Sequence, residues 1–147
     1  RLQNRGVVGP RGLPLLKPPY STITAFDMNK GEILWQVPNG DRMARVEEHP
    51  DLEGIDLPPL GGGGRHPVLV TSTLLIHGQD MGYGPNLIAR DKATGGELAR
   101  IELSGAPQSA PMSYAVDDRQ YIALGVNDAP NPKLVVFALP MTPDKSE

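Results

Sequence analysis

The sequence predicts an all-β protein, and three observations carry that reading. Nine short runs of strand-forming residues recur between clusters of Gly, Pro, Asn and Asp. No apolar period of the helical kind persists beyond about three turns. Seventeen Gly and sixteen Pro in 147 residues punctuate the chain too often for long helices.

The elements follow in chain order. Residues 1–21 hold several Pro and Gly and read as an extended lead-in. Thr22 to Asp27 is a strand, Met28-Asn29-Lys30-Gly31 a turn, and Glu32 to Val37 the returning strand. Residues 38–65 form a long insertion, in which Arg42 to His49 suits a short helix and four glycines, Gly61 to Gly64, run together. Connections of that length are unusual in compact domains and tend to be functional or disordered. A β rhythm resumes with His66 to Thr71, Thr73 to Gly78, Asn86 to Asp91 and Glu97 to Leu103. Gly105-Ala106-Pro107 reads as a break. Pro111 to Val116, Gln120 to Val126 and Lys133 to Leu139 complete the set, with Asp117-Asp118 as a hairpin turn.

Two segments align without a gap. Ala25-x-Asp27-x-x-x-Gly31-x-x-Leu34-Trp35 matches Ala89-x-Asp91-x-x-x-Gly95-x-x-Leu98-Ala99. The chemistry is coherent at each position. Ala suits close packing, Asp accepts from turn amides, and Gly takes a positive-φ corner. Trp35 offers a large area for burial between sheets. The bland alternative is two ordinary hairpins with similar turns. As a repeat, the offset exceeds the ~40–50 residues of propeller blades, and the insertion accounts for the excess. Residues 22–37 then form a half blade, 66–103 a full four-stranded blade, and 111–139 a final blade lacking one strand.

Composition narrows the function classes. Apolar residues are 39% and the net charge is −3, so no basic surface for nucleic acid is indicated. The absence of Cys removes disulfides, thiolate metal sites and a Cys nucleophile. No apolar run approaches the ~18–20 residues of a membrane span.

The ordered set Gly12-Leu-Pro-Leu-Leu-Lys-Pro-Pro-Tyr20, Ile23-Thr-Ala-Phe-Asp27, Gly31-Glu-Ile-Leu-Trp35, Val37-Pro-Asn-Gly-Asp41, Leu57-Pro-Pro-Leu-Gly61, Asp91-Lys-Ala-Thr-Gly95, Ala110-Pro-Met-Ser-Tyr114 and Gln120-Tyr-Ile-Ala123 resembles the C-terminal portion of pyrroloquinoline quinone (PQQ) dependent dehydrogenases, of the glucose dehydrogenase-like branch. The resemblance runs from about Gly12 to Pro140. It implies part of an eight-bladed β-propeller, with PQQ near the ring axis and Ca²⁺ beside it. It implies oxidation of an alcohol or aldose, with electrons passing to a quinone or cytochrome, and a periplasmic or periplasm-facing location. The family's catalytic Asp and most cofactor and Ca²⁺ ligands lie upstream of the matched segment, so no catalytic or metal residue is assigned to this chain. PQQ and Ca²⁺ are expected in the parent family, and this chain by itself need bind neither.

The resemblance places Leu60-Gly61-Gly62 against the cofactor, where glycines permit close backbone approach. A floppy connector is the plain alternative. Gln108-Ser109-Ala110 holds the equivalent place before the next inner strand. Arg65 and His66 reach PQQ carboxylates if the loop faces the axis, and otherwise form a solvated pair. His49, His66 and His77 lack metal-ligand spacing and read as surface or strand-end residues. Asp80, Glu97 and Asp128 form no Ca²⁺ cluster. No Lys-Ser/Thr follows the glycines, and Ser104, Ser109 and Ser113 lack a nucleophile-elbow context. The acidic–basic tract Asp41 to Glu53 carries no assigned role.

Two functions therefore compete. One is a segment of a quinoprotein dehydrogenase, inactive alone, whose partners are the remaining blades, an aldose or alcohol substrate and a quinone acceptor. The other is a non-enzymatic module that associates with copies of itself to cover its open edges.

Overall fold

The computed structural model describes residues 9–62, 67–80 and 84–139. Ten strands occur among them, all paired antiparallel. The first hairpin joins β1 (Thr22–Asp27) to β2 (Glu32–Pro38). The second sheet has the order β3 (Val68–Val70), β4 (Leu74–Gln79), β5 (Asn86–Asp91) and β6 (Glu97–Glu102). This four-stranded sheet runs from Val68 to Glu102, and β3 is shorter than the run from His66 to Thr71. His66 itself lies outside the described residues.

The third sheet corrects the sequence reading at one place. Gly105-Ala106-Pro107 is no simple break, because Ala106–Pro107 forms β7 and pairs with β9 (Arg119–Asn127). β8 (Met112–Val116) pairs along the same strand further on, and β10 (Lys133–Ala138) pairs on its other side. Pro107 donates no backbone hydrogen bond, so the edge position suits it. Gly105 is needed there, since a Cβ would press on the carbonyl of Asn127. The sheet is thus three strands wide, with its first strand in two pieces. Asp117 and Asp118 both take positive φ, at 48° and 60°, in the two-residue turn between β8 and β9.

The helical content is small. One helical turn, α1 (Ala44–Glu47), lies inside the interval expected to be helical, and 3-10 turns occupy Pro10–Gly12 and Pro50–Leu52. The lead-in is therefore not wholly extended.

The core sits between the second and third sheets. Ile76, Leu87, Leu103, Leu124 and Val126 are buried together, and Leu69, Leu74, Ile122, Val135 and Phe137 pack around them. β4 and β5 are covered on both faces, so burial runs along them without the alternation of a one-faced strand, taking in His77, Gln79 and Arg90. Gly78 admits the ring of Pro107, which a Cβ there would meet at 2.5 Å.

The two aligned hairpins share their geometry. In each, a bulge follows the Ala, between Ala25 and Phe26 and between Ala89 and Arg90. Gly31 and Gly95 take φ of 71° and 76° and donate to the carbonyls of Asp27 and Asp91, at 2.7 and 2.8 Å. Asp27 Oδ1 accepts from the amides of Asn29 and Lys30, and Asp91 Oδ1 accepts from the amide and hydroxyl of Thr94.

Candidate functional site

Within each sheet the connections alternate between ends. The tight turns at 28–31, 92–95 and 117–118 lie at one end. The insertion after β2 and the segment after β6 leave from the other. Leu60-Gly61-Gly62 lies at that second end, before β3, whereas Gln108-Ser109-Ala110 lies in the break between β7 and β8, alongside Gly125 of β9.

The insertion is an ordered loop through residue 62. The amide of Leu60 donates to the carbonyl of Asp41, and that of Gly61 to the carbonyl of Gly40, each at 2.9 Å. The Leu60 carbonyl accepts from Tyr20 at 2.8 Å. Leu60 is buried, at 1% exposure. A Cβ on Gly61 would press on the carbonyl of Ser21, and one on Gly62 on the carbonyl of Arg42. The glycines thus let three backbone segments meet. Leu60 also closes one side of an apolar cavity of about 260 Å³, lined by residues including Leu13, Leu16, Tyr20, Val46 and Leu52. Gly63, Gly64, Arg65 and His66 lie outside the described residues.

Ser109 sits where the strand facing β9 is interrupted. Its Oγ accepts from the amide of Gly125 at 2.8 Å and donates to the carbonyl of Ala110 at 3.2 Å. It replaces a ladder bond that the break between β7 and β8 removes. Beside it, Gln108, Gly125, Val126, Asn127, Pro132 and Lys133 line an open cleft of about 450 Å³.

The structure overturns the surface reading of His77. The residue is fully buried in β4. Its Nδ1 donates to the carbonyl of Gly78, and its Nε2 accepts from Arg90 Nε at 3.2 Å. Burial is tolerated because both ring nitrogens are paired. His49 is likewise structural, with Nε2 donating to the carbonyl of Arg11 and Nδ1 accepting from the amide of Asp51.

Arg90 opens an ionic chain that the sequence did not disclose. Its Nη1 reaches the carbonyl of Gly95 and its Nη2 lies 3.6 Å from Glu97. Burial lowers the Arg90 pKa, and the charge of Glu97 opposes that. Glu97 Oε1 and Oε2 accept from Arg100 Nε and Nη2, at 2.8 and 2.9 Å. That bond first, against the opposing effect of desolvation, holds the Glu97 carboxyl below its usual range, while the Arg100 guanidinium is pushed further up. Arg100 then meets Asp41 at 3.0 Å. The signal in the sequence is one Arg inside Asn86-Leu-Ile-Ala-Arg-Asp91, an otherwise buried run.

The fit to a cofactor is limited. The amides of Leu60 and Gly61 already donate inward, so this loop offers a flat backbone wall more than a set of hydrogen-bond donors. Among the described residues no group of three or more His, Cys, Asp or Glu is arranged to hold a metal ion.

The four-stranded antiparallel sheet, and the bond that Trp35 Nε1 of the preceding hairpin donates to the carbonyl of Lys92 in its β5–β6 turn at 2.9 Å, define a class, the propellers built of such blades. The sequence matches the family described as "PQQ: Glucose/ethanol/alcohol dehydrogenase, beta-propeller domain" over residues 1–122. The chain belongs to that family, and its fold is a partial β-propeller. It is 30% identical over 123 residues to the quinate/shikimate dehydrogenase (quinone) of Acinetobacter baylyi, covering 80% of this chain and 14% of that one. It is 33% identical over 141 residues to the glycerol dehydrogenase large subunit of Gluconobacter thailandicus, covering 88% of this chain and 18% of that one. The quinoprotein glucose dehydrogenase of Escherichia coli is 28% identical over 121 residues, which cover 80% of this chain and 14% of that one. The chain thus spans less than a fifth of the length of these relatives.

Proposed function

We propose that this chain is a blade segment of a PQQ-dependent dehydrogenase that oxidises an aldose or other alcohol and passes electrons to a quinone or cytochrome. The observation that carries the proposal is the family match over residues 1–122, with the Trp-to-turn blade contact intact. PQQ, when bound, supplies the two-electron acceptor for the alcohol carbon. The role of this chain is to present the wall around Leu60, Gly61 and Gly62, with the Ser109 segment as the matching stretch of the next blade. It contributes no catalytic base and no Ca²⁺ ligand, so alone it is inactive. We read the repeated Ala-x-Asp-x-x-x-Gly turn as the blade repeat, and we infer a periplasmic or periplasm-facing parent from the family resemblance alone.

Its partners are the remaining blades. Leu34, Leu98, Leu134 and Val136 are 59%, 61%, 65% and 44% exposed, which suits faces that neighbouring blades cover. The outer edge of β10 pairs with no strand among the described residues, and a second copy satisfies it as readily as a blade of one parent. That edge is what supports self-association as the second reading.

A titration of isotope-labelled chain with PQQ, followed residue by residue by NMR, tests the wall. Weak shifts confined to residues 60–62, the 108–110 segment and their contacts are expected. Shifts elsewhere, or none, contradict it.

A further inference from the structure

The Leu60–Gly62 loop hangs on two carbonyls, those of Gly40 and Asp41. These belong to the stretch between β2 and α1, which the amide of Asn39 ties to the carbonyl of Ser21 at 2.9 Å just beyond the end of the β1–β2 ladder. What ties that stretch to the full blade is the Asp41 carboxylate, 3.0 Å from Arg100 Nη1 on β6. Arg100 is in turn locked by its two bonds to Glu97. Glu97 lies against Arg90, which is buried and tied to His77 and to the carbonyl of Gly95. A continuous polar line therefore runs from the core of the full blade to the loop.

We propose that Arg100 is a positioning residue for the Leu60–Gly62 loop, acting through the Asp41 carboxylate. Its value for cofactor binding rests on the reading of that loop as a cofactor wall; the mechanical role does not. Arg suits the task because its planar fork engages Glu97 with two branches while Nη1 reaches Asp41. Lys keeps the charge but not that geometry.

Amide hydrogen exchange of the chain tests the proposal, because it reads local opening apart from global stability. Arg100→Ala and Asp41→Asn should each raise exchange at Leu60 and Gly61 on the order of tenfold, while the ladder amides of Ile76 and Ile88 stay unchanged. Arg100→Lys should fall between. Lys133→Ala, which removes a distant ion pair with Asp128, should leave Leu60 and Gly61 as they were. Unchanged Leu60 and Gly61 in Arg100→Ala and Asp41→Asn overturns the proposal, as does faster exchange spread equally over the ladder amides. Should Arg100→Ala not fold, Asp41→Asn decides between the same outcomes. The PQQ titration separates the two claims. Loop amides that respond to Asp41→Asn in a chain whose residues 60–62 ignore PQQ leave the positioning role standing and remove the wall. The reverse pattern removes the positioning role alone.

Discussion

Trp35 Nε1 donates to the carbonyl of Lys92 at 2.9 Å, and its ring lies flat on Gly95. One hydrogen bond and one missing side chain thereby join the first hairpin to the turn of the next sheet. A Cβ on Gly95 would lie 2.6 Å from Trp35 Cε3. The same position in the first hairpin, Gly31, faces open space. Ala99, which aligns with Trp35, offers no ring to a following blade.

Trp35 is half-buried, so Trp35→Ala should cost less than a core aromatic, about 2 kcal/mol. Gly95→Ala meets both the ring and a φ of 76°, and should lose about 2–3 kcal/mol. Gly31→Ala carries only the φ penalty, about 1 kcal/mol. Urea unfolding midpoints of the three variants check the order.

Gly61→Ala and Gly62→Ala should each destabilise the loop, by about 1–3 kcal/mol. The added methyl meets backbone carbonyls, which cannot rotate away. Gly12→Ala, whose Cβ finds open space, is the control, limited to its positive φ. Chemical denaturation followed by NMR at Leu60 and Tyr20 reads the difference.

Ser109→Ala leaves the Gly125 amide without its partner and should cost about 1 kcal/mol. Ser109→Thr keeps the hydroxyl and should recover part of it. A thermal-melting comparison of the pair measures this.

Glu97 gives a pH dependence of definite sign. Its folded pKa is lowered, so the unfolded chain takes up the proton first as pH falls. Its contribution is complete above the ordinary Glu value of about 4.3 and is lost as pH drops through the folded value. Glu97→Gln should flatten the acid limb of stability against pH below about 4.5. An acid limb as steep as in the wild type contradicts the assignment.

Local chemistry was legible in the sequence. Asp27, Gly31, Asp91 and Gly95 announce their turns because an Asp acceptor and a positive-φ Gly lie within five residues of each other. Trp35 announced a packing role because a lone large ring follows such a turn. Long-range pairing was not legible. His77 looked like a surface residue because its burial depends on Arg90, in a neighbouring strand. Nothing near Asp41 in the chain points to Arg100. Ala106–Pro107 hid as a strand because Gly and Pro signal breaks, and only its register with β9 makes it one. For the loop, Leu60 and the glycines were singled out, but the inward use of their amides required the positions of Gly40 and Asp41.

The central claim is that this chain is a set of propeller blades that needs its neighbours to act. The native mass of the purified chain, measured with and without PQQ and Ca²⁺, tests it most directly. The account predicts a monomer that gains no stoichiometric cofactor and oxidises no alcohol. A defined oligomer that retains PQQ and turns over glucose, glycerol or quinate would contradict it.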